Sequence, residues 1–406
     1  MALSAAAPDS VDVAVLGGGI VGLATAWRLA QRYPDLSITV VEKEQTVGAH
    51  QTGRNSGVLH SGIYYTPGSA KARMCREGQR AMIDFCERYD VPHAMIGKVI
   101  VASSADEIPR LDELARRAEA NGVRAERIGP DGLADIEPNA TGIAALHVPG
   151  AGITDYQMVS QRLSTLLVEH GSTILTGRSV TDVHETPEGV DITTSAGDIA
   201  ASRAVVCCGL HSDRVGASGD SDATTQIMPF RGEYFEVVAG RRDLVNGLVY
   251  PVPDPAFPFL GVHLTKMIDG SIHAGPNAVP ALAREGYRWR DVSARDSWEL
   301  ATNPGVWKLG RKYWRTASSE IIRSVSKRHF VEALQRLVPA IEADDLERSP
   351  AGVRAQAISR DGSLLDDFAW KLSDRTVRVI NAPSPAATAS LSIADEIIDR
   401  LAMVDA

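Results

Sequence analysis

Two hydrophobic periods alternate along this chain, and the first switch between them carries the most information. Val11-Asp12-Val13-Ala14-Val15-Leu16 is a short, β-branched apolar run that reads as a buried strand. Residues 23–31, rich in Ala and Leu, read as a helix, and Ser37-Ile38-Thr39-Val40-Val41 as a second strand. The spacing then predicts a helix over 69–89, with Met74, Met82 and Phe85 on one face, and a strand over 99–102. An amphipathic helix over 105–121 stops at Gly122, and another over 155–170 stops at Gly171. Residues 179–183 and 190–193 form a hairpin through Pro187 and Gly189, and 204–209 is a strand running into a glycine turn. Pro251, Pro253, Pro255 and Pro258 make their segment too rich in proline for a central strand. A helical region over 289–338, a strand over 376–380 and a closing helix over 386–401 complete the reading.

Between the first strand and the first helix stands Gly17-Gly18-Gly19-Ile20-Val21-Gly22, and the second strand ends on Glu42. Strand, G-x-G-x-x-G, helix, strand and acid in this order form a dinucleotide-binding βαβ unit. Gly17 permits the tight turn, Gly19 lets the backbone approach a pyrophosphate, and Gly22 lets helix and strand pack closely. The helix N-terminus offers free N–H groups to phosphates, and Glu42 can accept hydrogen bonds from ribose hydroxyls. These residues alone leave NAD and FAD equally open, and a glycine-rich turn can also be purely structural.

A length of 406 residues suggests two domains. No run approaches 18 uninterrupted apolar residues, so no transmembrane helix is expected. The first ten residues lack a basic segment and a long apolar core, so no secretory signal is expected either. Cys75, Cys86, Cys207 and Cys208 lack metal-ligand spacing, no metal is expected, and they suit a reducing cytoplasm. A net charge of −9 argues against nucleic-acid binding and requires a locally basic pocket for any acidic substrate.

Several further segments carry a family resemblance. They are Thr52-Gly53-Arg54-Asn55-Ser56-Gly57-Val58-Leu59-His60-Ser61-Gly62-Ile63-Tyr64-Tyr65, Pro229-Phe230-Arg231-Gly232-Glu233-Tyr234, Tyr250-Pro251-Val252-Pro253 with Phe259-Leu260-Gly261-Val262-His263-Leu264-Thr265, Lys327-Arg328, Gly352-Val353-Arg354-Ala355-Gln356, and Asn381-Ala382-Pro383-Ser384-Pro385-Ala386-Ala387-Thr388. Together they resemble the L-2-hydroxyglutarate dehydrogenase/oxidase family within the FAD-dependent D-amino-acid oxidase superfamily. The resemblance implies FAD as cofactor and a fold of mixed α/β and α+β character. It implies a Rossmann-like FAD domain in three pieces (1–90, 151–222 and 349–406), interleaved with a substrate domain of mixed sheet and helices (91–150 and 223–348). The implied cofactor contacts are Gly17, Gly19, Ile20, Val21, Gly22, Glu42, Lys43, Thr52, Arg54, Asn55, Ser56, Gly57, Val180, Gly209, Pro383, Ser384, Pro385, Ala386, Ala387 and Thr388. Residues 384–388 would open the last helix and set its dipole against the flavin; an ordinary capped helix with Pro in its first turn explains the same residues.

The implied reaction takes hydride from C2 of L-2-hydroxyglutarate, giving 2-oxoglutarate, with electrons passed on to a quinone or dioxygen. His60 is the leading candidate base, since imidazole titrates near neutrality, and His263 is the runner-up. A substrate with two carboxylates calls for arginine forks, for which Arg231 and Arg354 lead, with Tyr250, Thr265, Lys266 and Gln356 as further donors. Rival readings are an amine oxidase of the glycine or sarcosine type and a non-catalytic nucleotide-binding regulatory protein. Segment 289–328 holds Trp289, Trp298, Trp307 and Trp314. Residues 284–328 carry eleven Lys/Arg against five acids. That composition fits peripheral docking at the inner face of a membrane.

Overall fold

The computed structural model describes Pro8 and residues 10–215, 225–254, 260–312 and 326–401. Pro255, Pro258, Phe259 and Trp314, named above, lie outside the described residues, as do Arg315 and Arg323 of the basic segment and the first seven residues.

The opening βαβ unit folds as its pattern dictates. Strand Ser10–Leu16 leads into helix Ile20–Arg32, and strand Ile38–Val41 returns parallel to the first. Val13 and Val15 face a layer of helices, whereas Ala14 and Leu16 face the opposite side, as the period of two requires. Five parallel strands form the centre of this sheet in the order Thr376–Asn381, Ile199–Val206, Ser10–Leu16, Ile38–Val41 and Thr173–Leu175. Strand Ile199–Val206 pairs at its start with the hairpin of Val180–Glu185 and Val190–Thr194, and at its end with Thr376–Asn381. Helices Ile20–Arg32, Ala70–Arg88, Tyr156–Glu169 and Ser390–Arg400 bury their apolar faces in one core. Ser69 caps the second of these and Asp155 the third.

A second sheet has nine described strands, ordered Val279–Pro280, Thr225–Val237, Ile272–Gly275, His263–Lys266, Leu248–Pro251, Lys98–Ala102, Ala144–Val148 and Glu126–Ile128, with Leu346–Ser359 against Thr225–Val237. Three features depart from the sequence reading. Leu248–Pro251 is a central strand despite Pro251, because that proline is its last residue and pairs only with the Lys98–Ala102 side. Segment 349–359 belongs to this second sheet, and the chain rejoins the first only at Ala369–Leu372. The closing helix starts at Ser390, not 386; residues 384–389 are turns in which Ala386 N–H bonds Pro383 and Ala389 N–H bonds Pro385.

The two sheets meet through the loop that follows Gly53. Gly352 lies so close to the Arg54 carbonyl that a Cβ there would come within 2.3 Å of it. Ala355 N–H bonds the Gln51 side chain at 2.9 Å. Gly57, at φ +64°, abuts the Thr154 carbonyl and shares a hydrogen bond with that residue. The first two approaches hold the segment before His60 against the second sheet, and the third holds it against strand Gly152–Thr154, which pairs with Val58–Leu59 in a small separate sheet.

Candidate active site

The glycine turn has the cradle a pyrophosphate needs. Gly17 sits at φ +115°, and a Cβ on Gly22 would lie 2.0 Å from the Gly17 carbonyl, so both positions demand glycine. A Cβ on Gly19 would meet only the Thr52 hydroxyl, at 3.5 Å, leaving open space over the helix end. Thr52 accepts from Ile20 N–H at 3.0 Å, while Val21 and Gly22 have no carbonyl acceptor inside the helix. Glu42 is buried beside the turn and accepts from Gly18 N–H at 2.7 Å and Glu44 N–H at 2.8 Å, which fixes its carboxylate at the strand end.

The remaining residues assigned to the cofactor have separate placements. Lys43 forms a charged cluster with Glu44, His50 and Glu285; its ammonium is 2.7 Å from Glu285 and occupies the space those three could offer a metal. His211 hydrogen-bonds Glu285 and, with Lys43, holds that carboxyl down to about 2. Arg54 stacks on the Tyr287 ring at 4.0 Å, and Asn55 closes a turn by accepting from Gly57 N–H. Gly209, at φ +51°, lies against the Gln51 amide, and Val180 begins the hairpin at the sheet edge. Ser384 bonds Tyr65, while Pro383, Pro385, Ala386 and Ala387 form the turns before the last helix. Thr388 is fully buried and meets the Val58 carbonyl, the Tyr156 hydroxyl and His60 N–H, so it ties the C-terminal turn to the His60 loop.

A cluster of cations and rings lies beyond that loop, on one face of the second sheet. Leu248 pairs with both Lys98 and Thr265, and Tyr250 with Ile100, so Lys98, Tyr250 and Thr265 share that face. His263 stacks on Tyr250 with ring centroids 3.9 Å apart, and the Tyr250 hydroxyl lies 3.5 Å from Thr265. His263 Nδ1 is 2.8 Å from the Gly261 carbonyl, which assigns its proton to Nδ1 and leaves Nε2 an acceptor. Lys98 is 2% exposed, its ammonium 4.1 Å from the Tyr250 ring centroid and 5.2 Å from that of Tyr64. Among the described residues no carboxylate pairs with it, and burial pulls its pKa down to about 7.

His60 faces this group. Burial, then the nearby charges of Lys98, His263, Arg354 and Lys71, hold its imidazole well below the ordinary range. Burial likewise drives His263 down to about 3, with Lys98 and Arg354 contributing. Both imidazoles are therefore neutral and able to accept a proton. Arg354 hydrogen-bonds Tyr234. Gln356, two residues on and on the same face, donates to the Leu365 carbonyl at 2.9 Å. A polar cavity of about 360 Å³, lined by Tyr64, Tyr65, Lys71, Arg117 and Asp366 among others, shares the Tyr64 wall with Lys98. A larger cavity of about 620 Å³ is walled mainly by apolar groups such as Met228, Phe230, Leu300 and Trp307; His60, His263, Lys98 and Arg354 line neither of the two cavities.

Arg231 does not join the cluster. It pairs with Val353 while Arg354 pairs with Phe230, so the two arginines point to opposite faces. Arg231 lies buried over Trp289 at 4.2 Å and 3.4 Å from Glu233, the acid close to it in sequence. Lys266 is at the end of its strand, half-buried, with its N–H bonded to Gly247. Lys98, Tyr64 and Tyr234 were not among the sequence candidates. A lysine opening the apolar run Lys98-Val99-Ile100-Val101-Ala102 was the available signal, since lysine is rarely buried without a partner.

Comparison with known proteins agrees with this geometry. Residues 12–400 match the family described as FAD dependent oxidoreductase. The chain belongs to this family. FAD is its cofactor, and the glycine turn, the open helix end and Glu42 suit the dinucleotide. An L-2-hydroxyglutarate dehydrogenase of Indibacter alkaliphilus is 44% identical over 390 residues, covering 96% of this chain and 98% of that protein. The protein of that name from Escherichia coli K12 is 42% identical over 391 residues, with coverage of 96% and 93%. The mitochondrial one of Bos taurus is 40% identical over 414 residues, with coverage of 98% and 89%. L-α-glycerophosphate oxidase from Mycoplasma pneumoniae, solved with FAD bound, superposes with a TM-score of 0.79 at 21% identity, covering 97% of this chain and 95% of that one. Glycine oxidase from Geobacillus kaustophilus gives 0.74 at 18% identity, with coverage of 98% and 96%. At such identities the two structures establish the fold alone.

Proposed function

We propose that this protein oxidises L-2-hydroxyglutarate to 2-oxoglutarate. The observation that carries the reading is the meeting of His60, His263, Lys98 and Arg354 on one buried face, in a chain 40–44% identical to dehydrogenases of that substrate. The glycine-turn residues Gly17, Gly19, Ile20, Val21 and Gly22 with Glu42 hold the dinucleotide. The loop of Thr52, Arg54, Asn55, Ser56 and Gly57 and the turn 383–388 complete its binding site. FAD, when bound, accepts the hydride that leaves C2. His60 takes the hydroxyl proton as the C2 carbonyl forms; it is half-buried and reachable, whereas His263 is 5% exposed and pinned through Nδ1. His263 Nε2 and the Tyr250 and Thr265 hydroxyls orient the polar groups of the substrate. Arg354 binds a carboxylate, and Gln356 fixes the strand beside it. The chain divides in this reading into an FAD unit and a substrate unit, each built on one of the two sheets.

The electrons then pass to a quinone or to dioxygen. We place the protein in the cytoplasm, in keeping with four unpaired cysteines, at the inner face of a membrane met by segment 289–328. No described helix is long and apolar enough to cross a membrane. Trp289, Trp298 and Trp307 are 46%, 70% and 68% exposed, which suits interfacial contact. Arg284 is buried with Asp213 and takes no part in that surface. Flotation with anionic vesicles at low salt tests the docking: protein that never floats contradicts it. For the reaction, purified enzyme incubated with L-2-hydroxyglutarate and an artificial acceptor should form 2-oxoglutarate, read by mass spectrometry. A product-free incubation, with FAD present in the protein, would reject the assignment.

A further inference from the structure

We infer that Lys98 is the second cation of the substrate site, recognising the distal carboxylate of a 2-hydroxy dicarboxylate and excluding acids with a single carboxylate. The inference rests on the function proposed above and names the group that sets its specificity. A doubly charged substrate needs two cationic anchors, and Arg231, the second arginine expected from sequence, points to the other face of its strand. Lys98 stands where that anchor is missing. It shares a sheet face with Tyr250 and Thr265, and its charge is felt by both His60 and His263.

Two observations point to a ligand rather than to a structural lysine. Lys98 is 2% exposed, yet among the described residues no carboxylate lies within ion-pair distance of its ammonium; its neighbours are the rings of Tyr64 and Tyr250. A buried cation without a counter-charge is costly and is normally paired. The hydroxyl of Tyr64, whose ring centroid lies 5.2 Å from the ammonium, is also buried and has no hydrogen-bond partner among the described residues. A carboxylate accepting from both the Lys98 ammonium and the Tyr64 hydroxyl would satisfy both groups at once. Tyr64 also lines the polar cavity of about 360 Å³, whose wall further holds the cations Lys71 and Arg117 and the acids Asp366 and Asp367; the Tyr64 ring stands between that cavity and the Lys98 ammonium. The other groups facing Lys98 are His60, His263, Tyr250 and the Cys75 thiol, with Arg354 and Lys71 beyond the imidazoles. None of these brings a negative charge at neutral pH, since burial pushes the Cys75 thiol up to about 12.

The test uses the FAD-loaded enzyme and two unreactive probes, glutarate with two carboxylates and butyrate with one, titrated calorimetrically. Wild-type protein should bind glutarate far more tightly than butyrate. Lys98→Met should weaken glutarate about 100-fold, the scale expected when one partner of a buried charge pair is removed, while butyrate changes less than about threefold. The ratio of kcat/KM for L-2-hydroxyglutarate to that for L-2-hydroxybutyrate should collapse to a similar extent. Lys98→Gln is measured alongside, so that a folding defect in one variant leaves the other to decide. Glutarate affinity unchanged in a folded variant, equal weakening of both probes, or a wild type that does not prefer glutarate would each overturn the inference. A wild type that prefers glutarate but does not oxidise L-2-hydroxyglutarate would reject the proposed reaction and leave the role of Lys98 standing.

Discussion

The ammonium of Lys98 lies 4.1 Å from the centroid of the Tyr250 ring, and Tyr250 stacks in turn on His263 at 3.9 Å. Cation, phenol and imidazole thus form one column on a single sheet face. A desolvated cation–π contact contributes on the order of 2 kcal/mol, less than the several kcal/mol lost when an ammonium leaves water. The fold therefore maintains a group that destabilises it, as functional sites commonly do.

The first prediction follows from that imbalance. Lys98→Met, which keeps the length of the side chain without its charge, should raise the melting temperature of ligand-free enzyme at pH 6 by about 2–5 °C. Because the folded pKa, about 7, is below the ordinary 10.5, the unfolded chain binds the extra proton between these values. Wild-type stability from this group therefore rises with pH across that window, and the gap between variant and wild type should close by about pH 10. Thermal melts at several pH values check both; a variant less stable than wild type at pH 6 would show that Lys98 is structural.

A second prediction concerns the pH profile of flavin reduction. In the free enzyme Lys98 loses its charge as pH rises through about 7, so kcat/KM should fall on the alkaline side while kcat changes little. His263 sits near 3 and His60 well below 6.5, so both are already neutral at pH 6 and no acid limb is expected between pH 6 and 7. Stopped-flow reduction at varied pH measures this; an acid limb centred near 6.5 would place an unperturbed histidine in the reaction.

Replacement of the proposed base gives a third test. His60→Ala should slow flavin reduction by about 100- to 10,000-fold with a much smaller change in substrate affinity. His263→Ala should act mainly on affinity, since its ring packs on Tyr250 and orients the substrate. If His263→Ala instead has the larger effect on the reduction rate, the two roles are exchanged.

The anchoring of the His60 loop yields a fourth. Thr388→Val removes the hydroxyl shared by Val58, Tyr156 and His60; Tyr156 still donates to the Val58 carbonyl, but the His60 N–H loses its acceptor. The expected cost is about 1–3 kcal/mol in stability, accompanied by slower flavin reduction at unchanged FAD content. Urea unfolding and rapid-mixing kinetics on the same sample check it. Equal stability and rate would show that the loop holds its place without Thr388.

The βαβ unit was legible from sequence because period, glycine spacing and acid all act over about thirty residues, where local physics decides. The long strands Thr225–Val237 and Leu346–Ser359 were not, since their pairing joins segments more than a hundred residues apart. Arg231 and Arg354 looked alike as sequence, and only the register between these strands shows that they face opposite ways. The sequence signal of Lys98 is weak for a related reason. One charge at the head of an apolar strand resembles a solvated end until the neighbouring strand covers it. The start of the last helix is not legible because Ser384-Pro385-Ala386 suits a first turn, yet the chain makes separate turns there before the helix begins at Ser390.

Anaerobic mixing of the FAD-loaded enzyme with L-2-hydroxyglutarate, its D-enantiomer, L-2-hydroxybutyrate and glycine, followed by flavin absorbance, bears most directly on the central claim. The account predicts rapid bleaching by L-2-hydroxyglutarate, much slower bleaching by L-2-hydroxybutyrate, and none by the D-enantiomer or glycine. Bleaching by glycine, with the flavin staying oxidised in L-2-hydroxyglutarate, would contradict it.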